Sequence, residues 1–233
     1  MNAIASPASE LEHARFNMVE QQIRTWEVLD PRVLDLVTVV HREDFVPAAY
    51  RGLAFVDMEI PLGGPGTASR QSMMPPKVEA RSIQELALRK TDSVLEIGTG
   101  SGYLTALLAR SARHVTSMEI FPEYSAEARI KLARAGIANI DLVVGDAARA
   151  QPGVIGAGKF DAIVLTGSTP VLPTAFLDLL NAGGRLFAVV GDAPVMKARV
   201  YSRDATGTVT HRDVFETVLA PLVNAEQPER FAF

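Results

Sequence analysis

The sequence predicts an α/β protein built on a doubly wound, mostly parallel sheet of seven strands, with helices ahead of it and an antiparallel hairpin completing it. Three observations predict this. From Ser93 onward, apolar runs alternate with helical segments of about 10–15 residues, the pattern of successive strand–helix–strand units. The first of these runs leads straight into a glycine-rich turn, Gly98-Thr99-Gly100-Ser101-Gly102. Towards the end, two β-like runs flank Asp204-Ala205-Thr206-Gly207, a turn signal.

The elements follow in order. Residues Ala14–Val40 read as two helices. Phe16, Met18, Val19 and Ile23 fall near helical spacing in the first. Asp30 offers an N-cap to the second, Pro31 suits its first position, and Val33, Leu34, Leu36 and Val37 form its apolar stripe. Residues Arg42–Pro76 carry five prolines and the cluster Gly63-Gly64-Pro65-Gly66, which predicts a long loop. A loop of this length inside a domain is usually functional or disordered. Helical patterning resumes over Lys77–Leu88. Strands are expected at Val94–Gly98, His114–Glu119, Ile140–Val144, Ala162–Thr166 and Arg185–Gly191. Helices are expected at Tyr103–Ser111, Glu123–Ala135 and Pro173–Leu180, the last ending at Gly183-Gly184. Ala198–Arg203 and Thr208–Leu219 form the expected hairpin. The division is an N-terminal part, 1–90, and a core, 91–233, within what reads as one compact unit.

Composition excludes several functions. The 233 residues include no cysteine, which removes disulfides, thiolate metal sites and cysteine nucleophiles together. The four histidines, His13, His41, His114 and His211, are scattered, so no metal is expected. A net charge of −4 gives no basic field for a phosphate backbone, so nucleic acid is not the expected partner. The first fifteen residues are polar and lack an apolar signal-peptide core, and no run approaches the roughly 18 apolar residues of a membrane span. The expectation is a soluble cytoplasmic protein with no membrane partner.

The chemistry lies in Val94-Leu95-Glu96-Ile97-Gly98-Thr99-Gly100-Ser101-Gly102-Tyr103. A buried strand, a glycine turn and a helix start follow one another, an arrangement that lets backbone approach a ligand closely. A dinucleotide fingerprint wants glycine at 103, which is Tyr here; the third glycine falls at 102. An acidic residue at 96 suits a cationic ligand and is badly placed for a pyrophosphate. S-adenosylmethionine carries an ammonium and a sulfonium and no phosphate. Glu119 ends the second strand, where a carboxylate accepts ribose hydroxyls in folds of this kind. Asp146 ends the third strand, where it can cap an adenine amino group.

The stretch VLEIGTGSGYLTALLA resembles the first motif of class I S-adenosylmethionine-dependent methyltransferases, whose sheet is Rossmann-like. More narrowly, the chain resembles the protein-L-isoaspartate(D-aspartate) O-methyltransferase family. MVEQQIRTWEVLDPRVLDLV, REDFVPAAY, LAFVDMEIPLG, FDAIVLTGSTPVLP and LLNAGGRLFAVVG carry that likeness across nearly all of the chain. It implies a cofactor site of Glu96, Gly98, Thr99, Gly100, Ser101, Gly102, Glu119, Asp146, Ala147 and Thr166. It also implies methyl transfer to the free carboxylate of L-isoaspartyl and D-aspartyl residues in damaged proteins or peptides, a repair reaction. An α-carboxylate of pKa near 3.5–4 is ionised at neutral pH and needs no general base.

The family's catalytic loop reads G-x-T-I-S-x-P. Counted forward from Ile60, its hydroxyls fall on Thr67 and Ser69; counted back from Val94, its serine falls on Met74 and its proline on Pro76. The two registers differ by an insertion. In the first, Ser69 and Thr67 are the catalytic hydroxyls and Ser69 meets the substrate carboxylate. In the second, a thioether replaces a donor, and the chain becomes a diverged relative that binds the cofactor and acts on another substrate. Both readings are open at this point. Ser72, Arg70 and Lys77 are further polar candidates in the loop.

Overall fold

The computed structural model describes residues 7–64, 70–148, 155 and 158–228. Helix α1 (Pro7–Met18) continues through a π turn and a 3-10 turn to Trp26, and α2 (Pro31–Val39) follows. The Asp30 carboxylate accepts the Arg32 N–H, and Pro31 occupies the first turn, where an N–H has no helical partner. The predicted stripe Val33, Leu34, Leu36 and Val37 is buried.

The segment read as a loop holds more order than its prolines suggest. Two 3-10 turns (Arg42–Asp44 and Ala48–Leu53) precede a short antiparallel ribbon, β1 (Ile60–Pro61) against β2 (Ser72–Met73). The Leu62 N–H donates to the Gln71 carbonyl at 2.9 Å, which draws the neck of the excursion shut. Helix α3 (Pro76–Leu86) begins one residue before the expected Lys77, again on a proline at its start.

The main sheet comprises β3 (Ser93–Ile97), β4 (His114–Glu119), β5 (Ile140–Val144), β6 (Phe160–Thr169), β7 (Leu180–Asp192), β8 (Val195–Arg203) and β9 (Val209–Glu216). Their order is β5-β4-β3-β6-β7-β8-β9. The first five pair in parallel, and β8 and β9 run antiparallel to their neighbours, as expected. Helices α4 (Tyr103–Ser111), α5 (Pro122–Arg134) and α6 (Thr174–Asp178) lie on the crossovers. The chain winds outward from β3 to β5 and then returns to place β6 on the other side of β3. That reversal makes the carboxyl end of β3 a topological switch point, where ligands of open α/β sheets bind.

One helix is shorter than its pattern suggests. The run expected as helix to Leu180 ends at Asp178, and Leu180 pairs with Phe160, whose N–H donates to the Leu179 carbonyl at 2.8 Å. Gly183-Gly184 thereby belongs to β7 and does not end a helix.

Strand alternation builds two apolar layers. Val94, Val164, Phe187 and Val189 pack with α3, α4 and the N-terminal helices. Leu95, Ile97, Ile163, Leu165, Leu186 and Ala188 face the opposite layer with Phe176 of α6. Burial on both faces explains why the central strands read as continuous apolar runs. Among the described residues, no helix is long and apolar enough to cross a membrane, and no group of three or more His, Asp or Glu could hold a metal.

Candidate active site

The site grows from the end of β3. The Gly98 N–H donates to the Met118 carbonyl at 2.7 Å, holding the chain against β4 as it leaves the strand. Gly98 has φ +97°, and a Cβ there would stand 2.2 Å from Thr166 Oγ1. The Thr166 hydroxyl lies 2.9 Å from both the Ile97 and Gly98 carbonyls, so one residue of β6 braces the turn from below. Gly100 also has positive φ, +53°. Ser101 Oγ accepts the Tyr103 N–H at 3.2 Å, which satisfies one of the free donors at the start of α4.

Above this turn lies a cleft of empty volume ≈ 690 Å³, its open mouth included. The carboxyl ends of four strands meet there: Gly98 and Gly100 after β3, Glu119 of β4, Asp146 and Ala147 after β5, and Thr166 of β6. These six predicted site residues are brought together. Glu119 is 5% exposed. One of its carboxylate oxygens accepts the Gly100 N–H at 2.8 Å and the other the Phe121 N–H at 3.1 Å. Each oxygen retains a lone pair, so the carboxylate can still accept a vicinal diol. The charged side chains lining the cleft are Glu119 and Asp146, with no Lys, Arg or His among the described residues. A pyrophosphate would meet two carboxylates and no cation; a cationic ligand with a ribose finds a matching donor set.

Four predicted residues stand elsewhere. Glu96, Thr99, Ser101 and Gly102 do not line the cleft. Glu96 is completely buried beneath the turn. One of its oxygens accepts hydroxyls from Thr105 at 2.5 Å and Ser117 at 2.6 Å. Ser117 spends its proton on Glu96, so the Thr99 hydroxyl, 2.6 Å away, must be the donor to Ser117. Instead of facing a ligand, Glu96 anchors the glycine turn from inside through Ser117 and Thr99. Burial pushes its pKa up to about 8, against the pull of the two hydroxyls. Strand parity accounts for this placement: position 96 shares the helix-packed face with Val94, and Leu95 and Ile97 take the other.

The loop residues Thr67 and Ser69 lie outside the described residues. Behind the loop, Met74 is buried at 4% exposure, and its carbonyl accepts from Arg42 at 2.8 Å. Arg42 is wholly buried; it also donates to the Ala54 carbonyl at 3.0 Å, pairs with Glu79 and lies 5.0 Å from the Tyr103 ring centre. The Met74 thioether therefore packs in the core. Lys77 pairs with Asp57 at 2.6 Å and lies over the Trp26 ring. Leu62, Gln71 and Ser72 also line the cleft, with Leu62 against Gly100.

Sequence reasoning missed a whole wall of the site. Residues Leu219–Val223, after β9, run along the cleft. The Ser168 N–H donates to the Ala220 carbonyl and the Leu222 N–H to the Ser168 carbonyl, both at 2.9 Å. Asn224 then reaches Asp146, its amide donating to a carboxylate oxygen at 2.8 Å. No periodicity marks such a segment. The signals available were Ser168, a buried polar residue needing partners, and Pro221 beyond the last strand. Phe121 and Tyr124, which pack edge to face, complete the lining beside Glu119.

Such a cleft, without a cation among its described lining residues and set at the switch point of a sheet that ends in an antiparallel hairpin, fits a class I S-adenosylmethionine-dependent methyltransferase. The comparisons narrow this. The sequence model of the protein-L-isoaspartate(D-aspartate) O-methyltransferase family matches residues 13–227, and the chain belongs to that family. It is 41% identical over 184 residues to the protein-L-isoaspartate O-methyltransferase of Methanoculleus marisnigri, covering 79% of this chain and 80% of the relative. It is 36% identical over 216 residues to that of Rhodopseudomonas palustris, covering 91% and 95%. A crystal structure from Plasmodium falciparum assigned to the same activity, in complex with S-adenosyl-L-homocysteine, matches the fold with TM-score 0.75 at 18% identity, over 90% of this chain and 98% of that one.

Proposed function

We propose that this chain methylates the free carboxylate of L-isoaspartyl, and D-aspartyl, residues in damaged proteins, using S-adenosylmethionine. Family membership supports the substrate class, and the cleft supports the cofactor. The observation that carries the reading is the cleft's composition. Its acidic strand tips suit adenosine and a cation, and Gln71 and Ser72 line the same cleft as Leu62, which lies against Gly100. In this reading Glu119 holds the ribose hydroxyls, Asp146 and Ala147 border the adenine, and Gly98, Gly100 and Thr166 lie under the methionine part. Thr99 and Glu96 act from behind by holding the turn, with Ser101 and Gly102 shaping it. The loop hydroxyls of Ser69 and Thr67 remain the proposed contacts to the substrate carboxylate.

When bound, the cofactor would supply a methyl group activated by its sulfonium, so that an O–CH3 bond to the acceptor forms as the S–CH3 bond breaks and the neutral thioether leaves. The protein's own part is then modest. The acceptor carboxylate is already ionised at neutral pH, so the chain needs no base to generate it. Its residues hold the acceptor in line with the cofactor and exclude water, which is where the rate is gained. Among the described residues lining the cleft there is no His that could act as a general base, in keeping with that chemistry. The reading makes the substrate a protein rather than a nucleic acid, supported by the net charge of −4, and places the reaction in the cytoplasm.

The deciding experiment is a labelled methyl-transfer assay on an isoaspartyl peptide and its normal aspartyl twin. Label on the isoaspartyl peptide alone is the expected result. Binding of S-adenosylmethionine with no transfer to either peptide would move the chain to another acceptor and leave its cofactor standing.

A further inference from the structure

The β1–β2 ribbon carries a pair that the reading above leaves unused. Ser72 lies on the cleft wall, and its hydroxyl donates to Glu59 Oε2 at 2.8 Å. Glu59 is half-buried, one residue before β1, and the register that sets Pro61 opposite Ser72 holds the two segments side by side. A serine hydroxyl has one proton. With that proton on Glu59, Ser72 turns lone pairs towards the cleft, backed by a carboxylate. This part of the wall can accept hydrogen bonds and attract cations; it cannot donate to a carboxylate while the pair is intact.

The cations near the ribbon offset the Glu59 charge only weakly. Lys77, the nearest cation in sequence behind the ribbon, is taken by Asp57. Arg70 is exposed, so solvent and salt screen its charge more than that of half-buried Glu59. Gln71 beside Ser72 is neutral.

We propose that Glu59 sets the acceptor preference of this enzyme: its carboxylate, behind the Ser72 hydroxyl, gives this part of the cleft wall a negative field, and so selects isoaspartyl peptides with a cationic side chain beside the modified residue. The inference rests on the isoaspartyl reading. Its physical basis is Coulombic. The substrate's own carboxylate is repelled by Glu59, and a flanking Lys offsets that repulsion, whereas a flanking Glu adds to it. For partly screened charges several ångströms apart the effect is roughly tenfold in equilibrium.

The test compares three isoaspartyl peptides that differ only in the following residue: Lys, norleucine or Glu. Wild type, E59Q and S72A are assayed with each, with S-adenosyl-L-homocysteine binding by calorimetry as the check on folding of E59Q. Wild type should favour Lys over Glu by roughly tenfold in kcat/KM, carried mainly by KM. E59Q removes the charge and keeps an oxygen for Ser72, so its ratio should fall to within about twofold. S72A keeps the charge and should keep the preference. Raising ionic strength from about 0.05 M to 0.5 M should shrink the wild-type ratio, a measurement that needs no variant. An E59Q ratio equal to wild type, or a wild-type ratio near one or insensitive to salt, overturns the proposal and leaves the isoaspartyl reading intact. No transfer to any of the three by wild type, with the cofactor product still bound, overturns that reading and this proposal with it.

Discussion

Replacing Gly98 by alanine tests how the floor of the cofactor cleft is built. At φ +97° a side chain is strained, at about 1–3 kcal/mol. The new methyl would also lie 2.2 Å from Thr166 Oγ1, a contact real Cβ atoms do not make. Thr166 must rotate away, losing its hydrogen bond to the Ile97 and Gly98 carbonyls, at about 1 kcal/mol. Together these amount to roughly 2–4 kcal/mol, or a fall of roughly 5–15 °C in Tm for a chain of this size. Thermal unfolding followed by circular dichroism measures it. G98A, T166A and the double variant form a cycle. The bond is lost in both single variants but only once in the double, so the double should be about 1 kcal/mol more stable than the summed penalties imply. Strictly additive penalties, or a G98A loss below about 0.5 kcal/mol, would refute the claim that Thr166 braces this turn.

Three further outcomes are expected. Glu119→Ala should weaken S-adenosylmethionine binding by roughly 1–3 kcal/mol in calorimetry, since it removes both the proposed ribose acceptor and the partner of the Gly100 N–H; unchanged affinity would put the ribose elsewhere. Glu96 has a pKa raised to about 8 in the folded chain, so folding takes up a proton between the ordinary carboxyl range and pH 8. Its contribution to stability is complete at low pH and is lost as pH rises to about 8, with a slope of up to about 1.4 kcal/mol per pH unit. Glu96→Gln should flatten that part of the stability–pH curve, and denaturant titrations from pH 5 to 8 that superimpose for both proteins would contradict it. Ser69→Ala should lower turnover on an isoaspartyl peptide at least tenfold, about 1.4 kcal/mol of barrier, while cofactor affinity stays near wild type; if turnover is normal, the hydroxyl beside the acceptor is not Ser69.

The sequence alone determined the parts of this protein whose cause is local. Glycines at 98, 100 and 102 directly after an apolar run dictate a strand, a turn and a helix start, and the turn's position at the sheet edge follows. Glu119 and Asp146 were legible for the same reason: Glu119 ends β4 and Asp146 follows β5 by two residues, so the place of each at the carboxyl edge follows from the strand before it. The family likeness in the N-terminal third rests on motifs of the same local kind, and the sequence model of the family matches from residue 13.

Tertiary structure decided the rest, because contacts distant in the chain decided it. Glu96 was read as facing the cofactor from its distance to the glycines; its burial with Thr105 and Ser117 depends on which face α4 and β4 cover. Which loop residue reaches the wall depends on the pairing of β1 with β2, and counting along the loop from either end does not give that pairing. It puts Ser72 at the cleft, while Arg42, 32 positions earlier, holds the carbonyl of Met74 in the core. The Leu219–Val223 wall has no sequence pattern because Ser168 holds it by its backbone N–H and carbonyl groups, with the Ser168 hydroxyl also donating to the Leu219 carbonyl, and a backbone carbonyl is common to every residue type.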